Sequence, residues 1–236
     1  MQIIVRSCGE RTEQKCIQLA KQHGRAHVVN ALPFGETLRQ SYELGQTFKQ
    51  DWIPMVDADV LLYPGTLKTA VTMLKSMNKN IFCWDGSTKD KIMIKKRRAG
   101  IHIYRRDLLS QAMQYIEDNQ LKPESHVRRE MQKNHGAVTH AEGFLFGMHD
   151  FEQYYRDLWR KSFAQSRKLA GMIRRNPRIL KTWSLMSMRD NDYKVILAAH
   201  KLGRTYRGDI VIDARKNYGA SSGLKKLGLK EKGRLV

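Results

Sequence analysis

The chain has 236 residues, 41% of them hydrophobic, with four Trp and nine Tyr. That length and composition suffice to bury one large core and exclude a disordered chain, and no apolar run approaches the roughly 20 residues of a membrane span. Forty-three Lys and Arg against 23 Asp and Glu leave a net charge of +20, so nucleic acid, phosphorylated substrates or an anionic membrane surface are the expected partners. Cys8, Cys16 and Cys83 are odd in number and lack CxxC spacing, which indicates neither a disulfide framework nor a zinc clamp and points to a reducing compartment. The first apolar run, Ile3-Ile4-Val5, is too short for a signal-peptide core, so a cytoplasmic location is expected.

In chain order, Ile3-Ile4-Val5 predicts a strand, Ser7-Cys8-Gly9 a loop, and Cys16, Ile17 and Ala20 one side of a helix. A second strand around His27-Val28-Val29 leads through Pro33-Phe34-Gly35 into a helix carrying Leu38, Tyr42, Gly45 and Phe48. Trp52-Ile53-Pro54-Met55-Val56 then ends in Asp57-Ala58-Asp59, and Pro64 and Thr66 open a helix with Leu67, Ala70, Val71, Leu74 and Met77 facing inward. Ile81-Phe82-Cys83-Trp84 is a fourth strand. Such alternation predicts an α/β fold with a mostly parallel central sheet, whose ligands bind at the carboxyl ends of the strands. The loops at 6–11 and 57–60 should therefore share one crevice.

Beyond residue 90 the pattern changes. Six basic residues in 89–98 precede the extended stretch Gly100-Ile101-His102-Ile103-Tyr104; a helix with Leu108, Leu109, Ala112 and Ile116 follows, then another from Glu124. Residues 137–147 read as extended, while a long amphipathic helix from Asp150 and another over 190–202 predict a helical C-terminal extension. These features divide the chain into a core of residues 1–150, a helical region of 151–218 facing an acceptor or a membrane, and a Gly-, Ser- and Lys-rich tail of 219–236 with little to bury, expected to be flexible.

Asp57 and Asp59 end a buried strand two residues apart. An extended backbone turns such residues to one side, where both can reach a single Mg²⁺ or Mn²⁺ whose remaining positions suit phosphates and water. A solvated turn with a helix-capping Asp is the structural alternative. The context from Ile3 to Trp84, with Leu38-Arg39-Gln40-Ser41 and then IPMVDADVLLYPGTL, resembles the nucleotide-sugar glycosyltransferases of the Rossmann-like GT-A fold, especially those of the family 2 type. The resemblance implies a nucleotide-sugar donor, expected to be a UDP-sugar, a Mn²⁺ or Mg²⁺ cofactor, and a glycan or lipid-linked acceptor. It implies Asp57 and Asp59 as the metal motif and Arg6, Glu10, Arg11 and Arg39 as the nucleotide neighbourhood. It also implies a further ligand, commonly His, late in the fold, a place His149 fits.

His149 and Asp150 alternatively cap the helix that follows. Inverting glycosyl transfer needs a carboxylate to take the proton of the acceptor hydroxyl; Glu142 is the first candidate and Asp150 the second, with Asp190 and Asp192 behind them. Arg156, Arg160, Lys161, Arg167, Lys168, Arg174, Arg175 and Arg178, interleaved with Tyr154, Tyr155, Trp159 and Trp183, suit an anionic membrane surface or nucleic-acid phosphates, or form a solvated face over core aromatics. Two other functions compete with glycosyl transfer. One is a metal-dependent nucleotidyltransferase or nuclease using the acidic pair. The other is a non-enzymatic nucleic-acid-binding protein, motivated by charge alone and less expected because zinc-finger, RNP-type and KH-type motifs are missing.

Overall fold

The computed structural model describes residues 1–117, 122–135, 137–168, 178–210 and 213–235, apart from the side chains of residues 137, 140–143 and 168. Ile3, Ile4 and Val5 of β1 (Gln2–Ser7) are all fully buried because helices cover both faces of the sheet. On one face Ile3 and Val5 join Cys16 and Ala20 of α1 (Glu13–Lys21) and Leu67, Ala70 and Leu74 of α3 (Thr66–Leu74). On the other, Ile4 meets Leu38 and Tyr42 of α2 (Phe34–Gln46), with α4 (Leu109–Met113) and α5 (Pro123–Asn134) completing the layer. The two-residue period of the strand and the 3.6-residue period of the helices thus produce a three-layer sandwich.

The other strands are β2 (Arg25–Asn30), β3 (Trp52–Asp57), β4 (Val60–Leu62), β5 (Ile81–Asp90), β6 (Lys95–Arg97), β7 (Ile101–Arg105) and β8 (Ala137–His149). The sheet order is β2-β1-β3-β7-β5-β8-β4, with β6 paired to β5. The strands β1, β2, β3, β5 and β8 run in one direction and β4, β6 and β7 in the other. β5 is longer than the Ile81-to-Trp84 run that predicts it: Asp85, Thr88 and Asp90 are buried polar residues with partners, so a strand continues where hydrophobicity stops.

The helical region is built from α6 (Tyr155–Lys168), α7 (Arg178–Met186), α8 (Asn191–Thr205) and α9 (Ala220–Lys226). Its core joins Leu158, Trp159, Phe163, Trp183 and Ile196 to Ile92 and Met93 of the β5–β6 hairpin. Trp183 Nε1 donates to the Ile92 carbonyl at 2.7 Å and the Tyr193 hydroxyl to the Lys91 carbonyl at 3.1 Å, fastening the helices to the sheet. Trp159 and Trp183 are 3% and 0% exposed, so these aromatics belong to the core under the basic helices rather than to an exposed face.

Two local expectations change. The helix after Asp150 starts only at Tyr155, because Asp150 and Glu152 take positive φ values of 63° and 56°, outside the right-handed helical region. The tail from 219, expected to be flexible, holds α9, whose Ala220 and Leu224 are buried against Trp159. Gly223 makes this possible, since a Cβ there would stand 2.0 Å from Trp159 Cη2. Further along, the Glu231 carboxylate accepts from Tyr155 N at 2.6 Å and Arg156 N at 3.0 Å, satisfying the first turn of α6. Among the described residues no helix is long and apolar enough to cross a membrane.

Candidate active site

Strand ends converge at one edge of the sheet. Arg6 near the end of β1 is in register with Asp57 at the end of β3, and Ala58 N donates to the Arg6 carbonyl at 2.9 Å. The chain then turns at Ala58 and Asp59 into β4, whose Val60 pairs with His149 at the end of β8. Asp150 N donates to the Asp59 carbonyl at 3.2 Å. Asp57, Asp59, His149 and Asp150, far apart in sequence, so form one wall of a cleft of about 360 Å³. Arg97, Arg98, Lys122, Arg128, Arg160 and Lys161 also line it, giving the cavity a surplus of cationic groups suited to phosphates.

Asp57 and Asp59 diverge within this wall. Asp57 Oδ1 accepts from Arg6 Nε at 2.8 Å, and the other side of the Arg6 guanidinium contacts Glu124 at the start of α5. Glu124 also accepts from the Tyr104 hydroxyl at 2.7 Å and lies 3.1 Å from His102 Nε2. His102 and Arg128 both contact Asp85. This buried chain of alternating charge holds the mouth of the cleft in place. Burial pushes the Asp57 carboxyl up to about 6, against the pull of Arg6. Burial also opposes ionised Glu124, but Arg6 and His102 hold it well below the ordinary carboxylate range.

Asp59 faces the other way. Its Oδ2 contacts Lys161 Nζ, which also donates to Asp150 Oδ1 at 2.6 Å. His149 Nδ1 lies 3.0 Å from Asp90 Oδ2 and 3.1 Å from Asp150 Oδ2, and its Nε2 stands 3.5 Å from Asp59 Oδ1. Burial disfavours the charged forms of His149 and Lys161, yet Asp150 and Asp59 raise both well above their ordinary values. The same cations hold Asp150 well below the carboxylate range despite its burial.

Ligand-type atoms of Asp59, His149 and Asp150 lie within 4.8 Å of one another. Two carboxylates and an imidazole are a donor set that hard divalent ions accept. Asp59 Oδ1 is buried and no hydrogen bond reaches it, so a lone pair is left for an ion. These residues therefore fit Mg²⁺ or Mn²⁺, and Asp57 falls outside the group. The other such group among the described residues is Cys83, Asp85 and His102. Burial raises the Cys83 thiol well above its ordinary value, and Asp85 is already matched by His102 and Arg128, so this group is a filled structural network.

Glu10 lines the cleft, where it accepts from Ser7 Oγ at 3.0 Å and Cys8 N at 2.8 Å. Arg11 is drawn to Glu152 at 2.8 Å and the Gly233 carbonyl at 2.7 Å, and Arg39 pairs with Glu36 at 3.4 Å along α2; neither lines the cleft. Glu142 and His140 lie on β8 with side chains outside the described residues. Asp190 and Asp192 belong to the start of α8, held by Lys91, with Lys232 also on Asp192. Sequence reasoning missed Glu124, Asp85, Asp90 and the inward direction of Lys161. The acids that follow the apolar run of β5 were the available signal, and Lys161 lies three residues from both Leu158 and Ala164, each buried.

The protein has a Rossmann-like GT-A fold, an α/β sandwich with its cleft at the strand ends. It is similar over 96% of its length to a mannosyltransferase, PcManGT from Pyrobaculum calidifontis, solved in complex with GDP-Man and Mn²⁺; the match covers 79% of that chain at 11% identity with a TM-score of 0.50. A glycosyltransferase involved in glycosylation of the major capsid of PBCV-1 matches 59% of this chain and 80% of its own at 12% identity, with a TM-score of 0.40. No family profile and no curated protein sequence matches the chain.

Proposed function

We propose that the protein is a metal-dependent glycosyltransferase that moves a sugar from a nucleoside-diphosphate donor to a glycan or lipid-linked acceptor. The observation that carries this reading is the convergence of Asp59, His149 and Asp150, with Asp59 Oδ1 left unbonded, on a cation-lined cleft at the strand ends of a GT-A fold. The GDP-Man and Mn²⁺ of the mannosyltransferase neighbour support a nucleotide sugar and a divalent ion here. Asp59, His149 and Asp150 would hold the ion, which when bound would neutralise charge on the departing diphosphate. Arg6 and Glu10 line the cleft and would face the nucleotide, and Arg128 and Arg160 would offer guanidinium groups to phosphate oxygens.

Asp150 is held ionised by two cations and is therefore a weak proton acceptor, which suits a ligand better than a base. That leaves Glu142 to take the acceptor proton if transfer inverts. Glu142→Gln is expected to abolish turnover while donor binding stays, and normal turnover would remove it from the mechanism. The net charge of +20 favours an acceptor carried on an anionic surface, so retention on anionic vesicles should weaken with salt.

The decisive experiment is thermal stabilisation by UDP, GDP, CDP, TDP and UDP- and GDP-sugars, with and without Mn²⁺, on the wild type and Asp59→Asn. Metal-dependent stabilisation by one base, lost in the variant, supports the reading and identifies the donor; a UDP-sugar is the first expectation. Indifference to every nucleotide overturns it.

A further inference from the structure

Lys161 contacts two of the three residues proposed to hold the ion. Its side chain leaves α6 and places Nζ against Asp59 Oδ2 and at 2.6 Å from Asp150 Oδ1, two oxygens of the candidate ligand group. All three side chains are largely buried, at 18%, 7% and 3% exposure. An ammonium and a divalent ion held by the same two buried carboxylates repel each other strongly. His149 can serve as a ligand only as a neutral imidazole, so the ammonium is the cation that must leave before the ion enters.

His149 cannot move easily, because Gly100 lies against its ring and Asp90 and Asp150 hold Nδ1. Arg97 is committed to Asp90 at the back of the group. Of the cations in contact with the group, Lys161 combines a flexible four-carbon stem with a position on the cleft wall. Swung into the cleft, its ammonium meets the space expected to receive the donor phosphates. The Asp59 Oδ1 atom, with no hydrogen-bond partner, remains for the ion throughout.

We propose that Lys161 is the resident cation of the Asp59–His149–Asp150 group, that the divalent ion displaces it, and that the displaced ammonium moves onto the donor diphosphate, making ion and nucleotide bind cooperatively. The proposal rests on the reading of this group as the metal site. It assigns Lys161 a positioning role between the two ligands rather than a part in proton transfer. No covalent step is involved; one salt bridge is exchanged for another.

The test is direct Mn²⁺ binding, read from the free-ion electron paramagnetic resonance signal, on wild type, Lys161→Met and Lys161→Arg, each with and without UDP or GDP. Lys161→Met should bind Mn²⁺ alone about tenfold tighter than wild type, and the gain in Mn²⁺ affinity from the nucleotide should shrink by a similar factor. Lys161→Arg, which keeps a cation, should stay weak without nucleotide. Because Lys161→Met leaves two buried carboxylates unmatched, a second measurement uses the unaltered protein: the acylation rate of Lys161, followed by peptide mass spectrometry. That rate should rise on adding Mg²⁺ and fall again when UDP or GDP is added. Equal Mn²⁺ affinity in wild type and Lys161→Met, or Lys161 reactivity unmoved by saturating Mg²⁺, overturns the proposal and leaves the metal site standing. Mn²⁺ binding that is absent, or that survives Asp59→Asn unchanged, overturns the metal-site reading itself.

Discussion

Arg6→Met tests whether the buried charge chain supports the cleft. Arg6 is 2% exposed, donates to Asp57 Oδ1 at 2.8 Å and to Glu124 on its other side, and lies 5.4 Å from the Phe34 ring centroid. Methionine keeps the bulk of the stem, so the loss is mainly the guanidinium, which leaves Asp57 without its cation and Glu124 with His102. Removing one partner of a buried pair costs about 3–5 kcal/mol. For a chain of this size that is a fall in melting temperature of about 6–20 °C, at roughly 2–4 °C per kcal/mol. Urea denaturation at neutral pH measures it, and the double variant Arg6→Met/Glu124→Gln should recover part of the loss because it removes one of the two carboxylates that Arg6 matched. A single-variant loss below about 1 kcal/mol, typical of exposed pairs, would refute the argument that this chain is a buried support.

Two further perturbations probe the same architecture. Burial opposes the charged His102 ring, but Glu124 and Asp85 raise it above its ordinary 6.5, while His102 and Arg128 hold Asp85 below 3.8 although burial works against them. The His102 contribution to stability is therefore full below pH 6.5 and lost as pH rises through its raised value. The Asp85 contribution is present above pH 3.8 and lost as pH falls through its lowered value. Denaturation midpoints of wild type and His102→Asn across pH should show the alkaline decline flattened in the variant, and an unchanged slope above pH 6.5 would count against the network. Gly100 has φ 74°, and a Cβ there would stand 2.4 Å from His149 Cδ2 and 2.5 Å from Val60 Cγ2. Gly100→Ala should cost about 1–2 kcal/mol in backbone strain alone and weaken Mn²⁺ binding by displacing the imidazole, and Mn²⁺ affinity equal to wild type would argue that His149 is not a ligand.

Much of the first half is legible in the sequence because its signals are local. Ile3-Ile4-Val5 is β-branched and flanked by polar residues, so a buried strand is its natural state, and Leu67, Ala70 and Leu74 repeat at the helical period. The α9 segment was illegible for the opposite reason. Ala220, Gly223 and Leu224 carry little hydrophobicity, and their burial depends on the shape of Trp159, some sixty residues earlier.

The acidic pair marks where this division falls inside the site. Composition and pattern by themselves determined an α/β chain with carboxylates at a strand end, since buried strands must end in polar turns at the sheet edge. The i, i+2 rule that would aim Asp57 and Asp59 together holds only while the backbone stays extended, and β3 stops at Asp57. Tertiary structure alone decided that Asp57 turns to Arg6, which Glu124 holds on its other side, while Asp59 turns to His149 and Lys161 beside Asp150. Those partners come from β1, α5, the end of β8 and α6, and no local pattern encodes which charge a buried carboxylate meets, because that depends on how distant elements pack.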